Sequence, residues 1–369
     1  MELLKFELYK IFKQKSIWIT FIFMLGMSYL SLAYPYSSAV EKDMYQDWEG
    51  SITDEDIQEA KIEYASLIEK EKQQVDDEKD ALTDQETMQL WMYQKLVLSE
   101  VVMEGNEQRI QELRKEITAA AEMEMAMREE ISMNQFSHQT GPTQTVAFVE
   151  FGAFLVLGVM LILGLSPIYS KEYSSKMDHY LFSSKKGRKP LAKAKIVAAL
   201  IYTCLVVLSW EAFNLVLNFI LHGNEGWGMP IQFYTLYLNP AYAESPYAFT
   251  MLEYHFIQLG IHLLAGCSFA LLIVWISSLC HNALITFFIS ASIYIAPELL
   301  GMAESLQTLL TFSYISTVRV QILFTDFKAI DLFGYPVLYP IVACLVMIIA
   351  GFLCILATLH NIKNREIGT

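Results

Sequence analysis

The chain has 369 residues, 54% of them hydrophobic, and a formal net charge of −14. A soluble domain is roughly 45–50% apolar, so the excess argues against an ordinary soluble globule, and the acidic balance argues against nucleic acid as a partner. The charge is uneven: residues 35–145 hold 10 Lys+Arg against 26 Asp+Glu, a balance of −16, whereas the rest holds 16 basic and 14 acidic residues and carries +2.

Apolar residues concentrate in six stretches, 17–34, 146–169, 194–221, 254–279, 282–302 and 335–359. Each is about as long as the roughly 20 residues a helix needs to cross about 30 Å of hydrocarbon. Lipid offers no partner for backbone N–H and C=O groups, so all six are expected to be helices. The expected fold is all-α: a polytopic membrane protein with six transmembrane helices and an extracellular helical hairpin domain.

Residues 1–16 place Leu4, Leu8, Ile11 and Phe12 on one helical face, with Lys10 and Lys13 opposite. A basic amphipathic helix on the inner membrane surface fits this pattern, and a plain positively charged anchor fits it equally. The first span, 17–34, ends in Ser31-Leu32-Ala33 and so imitates a secretory signal. Its apolar run is long for a signal core and five further spans follow, which favours an uncleaved first helix.

The acidic segment 35–145 reads as helix. Thr53 with Asp56, and Thr83 with Glu86, match the capping box. Tyr64, Leu67, Ile68 and Val75 follow a helical period, as do Leu90, Tyr93, Val97 and Val101, and then Ile110, Leu113 and Ile117. Gly50 and Gly105 are the expected breaks. An ascending arm from Asp54 to Asp80 would be about 40 Å long, with a descending arm from Asp84. Met123, Met125, Met127 and Met133 form a methionine-rich stretch. Such adaptable side chains suit a peptide or lipid contact surface; packing between helices is the plainer account, and a soft-metal site the remotest. All five cysteines fall in or beside apolar segments, so no disulfide framework is expected in the acidic segment.

Loop charges orient the spans. Four lysines in residues 1–16, the basic cluster from Lys171 to Lys195, and Lys363 with Arg365 fall on one side. Both termini are then cytoplasmic, with 35–145, 222–253 and 303–334 outside. Tyr34, Tyr36, Trp227, Tyr234, Tyr237, Tyr335 and Tyr339 would lie near the outer interface. In the third span Glu211, Asn214 and Asn218 form an intramembrane polar stripe. A carboxyl at that depth faces the bundle interior, a water path or a partner helix; a helix or subunit interface is preferred over direct substrate contact. His255 and His262, seven residues apart, read as packing or interface residues. Pro297-Glu298 predicts a helix break, and 303–334 short interfacial helices before the last span.

There is no Gly-x-x-x-x-Gly-Lys-Ser/Thr loop, no Gly-x-Ser-x-Gly and no His-Glu-x-x-His. No catalytic residue, metal or cofactor is therefore assigned to the chain, which is not expected to hydrolyse ATP by itself. The segment 170–193, from Lys171-Glu172-Tyr173 through Tyr180-Leu181-Phe182-Ser183 to Gly187-Arg188-Lys189, resembles the cytoplasmic loop of type-two (ABC-2-type) ABC transporter permeases, especially Gram-positive members. Glu172, Leu181-Phe182, Ser183, Gly187-Arg188 and Lys195 match that loop, whereas Lys176 stands where the family often has glycine. The surface helix, six spans and short helices before the sixth are similar as well. The resemblance implies two permeases, identical or related, embedded in membrane lipid. Each would dock a separate ATP-binding cassette subunit through Glu172, Tyr173, Met177, Leu181, Phe182, Gly187 and Arg188. ATP and magnesium would sit on that partner, and the cargo would be an amphipathic peptide, antibiotic or lipid-like compound. Two other readings compete: a membrane-anchored sensor or scaffold whose external domain binds a ligand, and a motif-poor membrane enzyme or secondary transporter. The loop itself could equally be an ordinary charged connector.

Overall fold

The computed structural model describes residues 2–32, 38–76, 82–184, 187–235, 240–300 and 310–365. Tyr34, Tyr36, Tyr237, Lys185 and Lys186 lie outside the described residues.

The chain is overwhelmingly helical. It begins with α1 (Glu2–Phe12) and α2 (Lys15–Leu32), followed by the acidic segment's helices α3 (Ser38–Tyr45), α4 (Asp54–Asp76), α5 (Asp84–Leu113) and α6 (Ala119–Glu129). The bundle comprises α7 (Thr140–Leu165), α8 (Pro167–Ser174), α9 (Asp178–Ser183), α10 (Lys189–His222), α11 (Met251–Leu279) and α12 (Ala283–Leu300). Short helices α13 (Tyr314–Val318) and α14 (Gln321–Phe324) lead to α15 (Tyr339–Asn364). Among the described residues, five helical runs are long and apolar enough to cross a membrane: Gly152–Ser174, Lys189–His222, Met251–Leu279, Ala283–Leu300 and Tyr339–Asn364. The apolar run of α2, Lys15–Leu30, is shorter. The chain is thus built as a membrane protein.

In the acidic segment both capping signals act as the sequence implies. The Thr83 hydroxyl accepts from the Glu86 backbone N–H while the Glu86 carboxylate accepts from the Thr83 N–H, and Thr53 and Asp56 make the equivalent pair of bonds. Helices α4 and α5 run antiparallel, bridged by Lys70–Glu86 and Lys61–Glu100. The expected apolar face holds at Tyr64, Leu67 and Ile68, which are half-buried, and at Leu90, Leu113 and the half-buried Ile110. It fails at Val101 and Ile117, which are exposed, while Leu98 and Val102 are buried instead.

Three expectations are corrected. Gly105 lies inside α5 and breaks nothing; a lone glycine costs about 1 kcal/mol in a helix, little against the packing of a 30-residue helix. Gly50 does mark a break, at φ +126°, but it opens a two-residue strand (β1, Gly50–Ser51) paired antiparallel with β2 (Gln135–Phe136). Pro297 sits within α12 rather than ending it; proline removes one backbone bond, and in a membrane-type helix its neighbours have no better conformation. Residues 329–338 form a hairpin, β3 (Ala329–Leu332) with β4 (Tyr335–Leu338), so the last helix begins at Tyr339 rather than 335.

Two apolar cores organise the molecule. One joins α7, α10 and α11 to α1, α8 and α9. There Gly164 lets the Tyr202 ring approach so closely that an added Cβ would lie 2.5 Å from it, and the Tyr202 hydroxyl donates to the Met160 carbonyl at 2.8 Å. The other core joins the acidic segment (Tyr45, Met92, Leu96, Phe136) to Phe233, Tyr242, Tyr254 and Phe324 at the far ends of the bundle. Arg128 reinforces this junction: it is buried, pairs with Glu124 at 2.8 Å, and donates to the Glu244 carbonyl at 3.3 Å.

Candidate functional site

The segment between α7 and α10 is a folded elbow. At its first turn, the Met177 N–H donates to the Glu172 carbonyl and the Lys176 N–H to the Tyr173 carbonyl, both at 3.0 Å. This is a Schellman cap, whose left-handed position favours glycine. Lys176 occupies it at φ +57°. At the second turn, a Cβ on Gly187 would lie 1.5 Å from the Leu181 carbonyl oxygen, so only glycine closes the loop.

The residues assigned to docking divide by this geometry. Met177 is 49% exposed, and Tyr180, beside it on α9, is 78% exposed. Leu181 is half-buried, Arg188 is half-buried and donates to the Lys363 carbonyl at 2.9 Å, and Gly187 is buried. Glu172, Tyr173 and Phe182 face inward. Tyr173 packs against Phe182 and carries the Arg365 guanidinium on its face at 3.7 Å. Arg365 in turn donates to the Ser278 carbonyl at 2.8 Å, tying the elbow to the ends of α11 and α15.

Beneath the elbow lies an ion network. Glu172 takes Lys10 at 2.5 Å and Lys195 at 2.7 Å, and Glu7 takes Lys10 at 2.6 Å and Lys195 at 2.8 Å. Lys195 also donates to the Ile168 carbonyl at 2.7 Å, so all three ammonium protons have oxygen partners. Two acids and two bases balance formally. Burial disfavours the Lys10 ammonium, but Glu172 and Glu7 outweigh this and hold its pKa above the ordinary value. Three helices, α1, α8 and α10, are thereby joined through charges that cannot separate without exposing one another unpaired. Sequence reading places Lys195 in the basic loop cluster, and no local signal pairs it with Glu7.

A second polar site lies between α10 and α11. Glu211, Asn214 and Asn218 are all buried. Glu211 Oε1 meets His262 Nδ1 at 2.7 Å, and His262 Nε2 meets the Val318 carbonyl at 3.0 Å. A carbonyl only accepts, so Nε2 carries a proton. The Nδ1–Oε1 contact then needs one more proton on one side or the other. The pair is therefore neutral overall, whether ionised or not. The stripe is thus an interface between helices of this chain, and His262 is part of it. Glu211 Oε2, both side-chain polar atoms of Asn214, Asn218 Oδ1 and His255 Nδ1 are buried without a hydrogen-bond partner. Glu211 and His255 line a groove of about 550 Å³ with walls of Leu208, Leu215, Leu252 and Phe256.

A third cluster was missed by the sequence reading. Glu150 of α7 accepts from Tyr242 and, at 2.7 Å, from Tyr254. A carboxylate inside an apolar stretch was the available signal.

The methionine stretch does not form one exposed surface. Met133 is buried, Met127 packs on the second core, and Met123 is half-buried. In the same region Lys95 is buried with the Tyr45 hydroxyl 3.2 Å away, and burial lowers its pKa despite nearby Glu41.

Comparison with protein-family models gives no match, and neither curated proteins nor solved structures match the chain.

Proposed function

We propose that the chain is the membrane-spanning permease subunit of an ABC exporter. In this reading it crosses a bacterial cell membrane six times, with both termini cytoplasmic and residues 35–145 outside, and pairs with a second permease. It moves an amphipathic substrate using ATP and magnesium bound by a separate ATPase subunit.

One observation carries the reading: Met177 and Tyr180 project from an elbow whose root, Glu172, is locked to α1 and α10 by buried charge. An exposed apolar patch on a short helix gives a partner something to grip. A load applied to α9 passes into α8 and, through Glu172, into two further helices. Separating those charges inside the protein costs several kcal/mol per uncompensated ion, about 3–5, so the elbow and bundle move together. An ordinary connector needs neither the exposed aromatic tip nor the buried clamp.

The test uses the full-length protein co-expressed with the ATP-binding protein encoded beside it. Tyr180→Asp and Met177→Asp are expected to abolish co-purification and ATPase stimulation while leaving the melting temperature in detergent unchanged. Co-purification that survives both substitutions rejects docking at α9 and leaves the membrane-anchored sensor as the better account.

A further inference from the structure

The groove between α10 and α11 has a composition that passive filling by a lipid tail does not explain. Its walls are apolar, and Leu208, Leu215, Leu252 and Phe256 are each more than a third exposed. Its floor is not. Glu211 and His255, each 4% exposed, line it together with Asn224 and carry polar atoms without partners, Oε2 and Nδ1. Trp227 lines one end, with its ring 5.6 Å from that of His255. Buried polar atoms left unmatched are costly and are ordinarily satisfied by a group of complementary chemistry. Both orphan atoms can accept, and the aromatic faces of Trp227 and Phe256 attract cations. Pockets of roughly 300–1,000 Å³ bind small organic ligands.

We propose that this groove binds a cationic amphiphile, its ammonium head on Glu211 Oε2 and His255 Nδ1 and its alkyl tail along the leucines and Phe256. A primary ammonium has three donors and no acceptor, which matches a floor that accepts. An anionic head has no donor for either atom, and a neutral alcohol would supply one donor without charge. The Glu211–His262 pair accommodates the cation: Oε1 keeps its bond to the imidazole while Oε2 takes the head. The proposal narrows the substrate class of the exporter reading for its physiological meaning, but binding itself depends only on this groove.

The probe is dodecylamine, with dodecanol and dodecanoate as neutral and anionic controls, titrated into the full-length protein in a fixed detergent. The readout is the fluorescence change due to Trp227, isolated by subtracting the response of Trp227→Phe. Dodecylamine is expected to give a saturable change, with both controls weaker by about tenfold or more, the scale of a hydrogen bond to a charged group. Glu211→Gln is expected to weaken the amine by a similar factor and leave the controls unmoved. Ala212→Phe, which fills the groove from its exposed wall without touching the polar floor, is expected to remove binding of the amine even if Glu211→Gln proves unstable. Equal affinity for all three probes, or an amine response that survives Ala212→Phe, overturns the proposal. Loss of ATPase docking in the α9 variants leaves this result untouched, so the two readings fail separately.

Discussion

Glu7 and Lys195, 188 residues apart in the chain, meet at 2.8 Å with their side chains 2% and 0% exposed. Neither could be buried alone. Replacing Lys195 with Met leaves Glu7 and Glu172 sharing only Lys10, and loss of one partner from a buried pair costs about 3–5 kcal/mol. Thermal unfolding in detergent is expected to show a marked loss for Lys195→Met. The double variant Glu7→Gln with Lys195→Met is expected to recover part of it.

The two turns of the elbow respond oppositely to small substitutions. Lys176→Gly relieves a left-handed conformation that costs an L-residue about 1–2 kcal/mol, less the added chain entropy of glycine. The variant is expected to be as stable as the parent or slightly more so. Gly187→Ala, whose Cβ would overlap the Leu181 carbonyl, is expected to displace α9, read as increased proteolysis between α8 and α10.

The hairpin of α4 and α5 is expected to loosen in acid. Lys70 and the Thr83 backbone and hydroxyl lower the Glu86 pKa from 4.5 to about 2. A carboxylate depressed on folding contributes stability above its unfolded pKa and loses it as pH falls through the folded one. The protection of amides at the start of α5, taken relative to the intrinsic exchange rate at each pH, should therefore fall between about pH 4.5 and pH 2. Thr83→Ala should reduce that dependence.

Arg128 joins the acidic segment to the loop before α11. It holds Glu124 at 2.8 Å, shares that carboxylate with Arg109, and reaches the Glu244 carbonyl. Glu124 is held below its ordinary pKa: the arginine bonds outweigh its burial. Arg128→Ala, which leaves Glu124 paired with Arg109, is expected to cost about 1.5–3 kcal/mol, seen as cleavage of the 119–129 region by a protease that spares the parent.

The proposed topology gives a direct prediction. In a cysteine-free background, a membrane-impermeant maleimide is expected to label Glu71→Cys in intact cells and Ser174→Cys only after permeabilisation. Both positions are exposed in the fold. The reverse pattern would invert the chain and remove the exporter reading.

Much of the scaffold was legible in the residues. Long apolar stretches became helices, and Thr83 and Thr53 began helices where their acidic partners said they should. Local patterns overreached where a single residue was asked to decide: Gly105 and Pro297 each weaken a helix, yet α5 persists because its packing outweighs one glycine, and α12 because its backbone bonds have no better outlet. The candidate site was only half visible. Glu211, Asn214 and Asn218 announced themselves by their spacing, but His262 as the partner of Glu211 did not.

Sequence alone determined that this is a helix-rich membrane chain with one acidic segment, because a run of apolar residues and the requirement for internal hydrogen bonding leave few alternatives. Tertiary structure alone decided which charges meet, Glu7 with Lys195 and Glu211 with His262, and which of the elbow's apolar residues point outward. Helix formation is a local matter of a few turns. Charge pairing across 51 or 188 residues depends on how separate helices stack, and no short window of sequence contains that information.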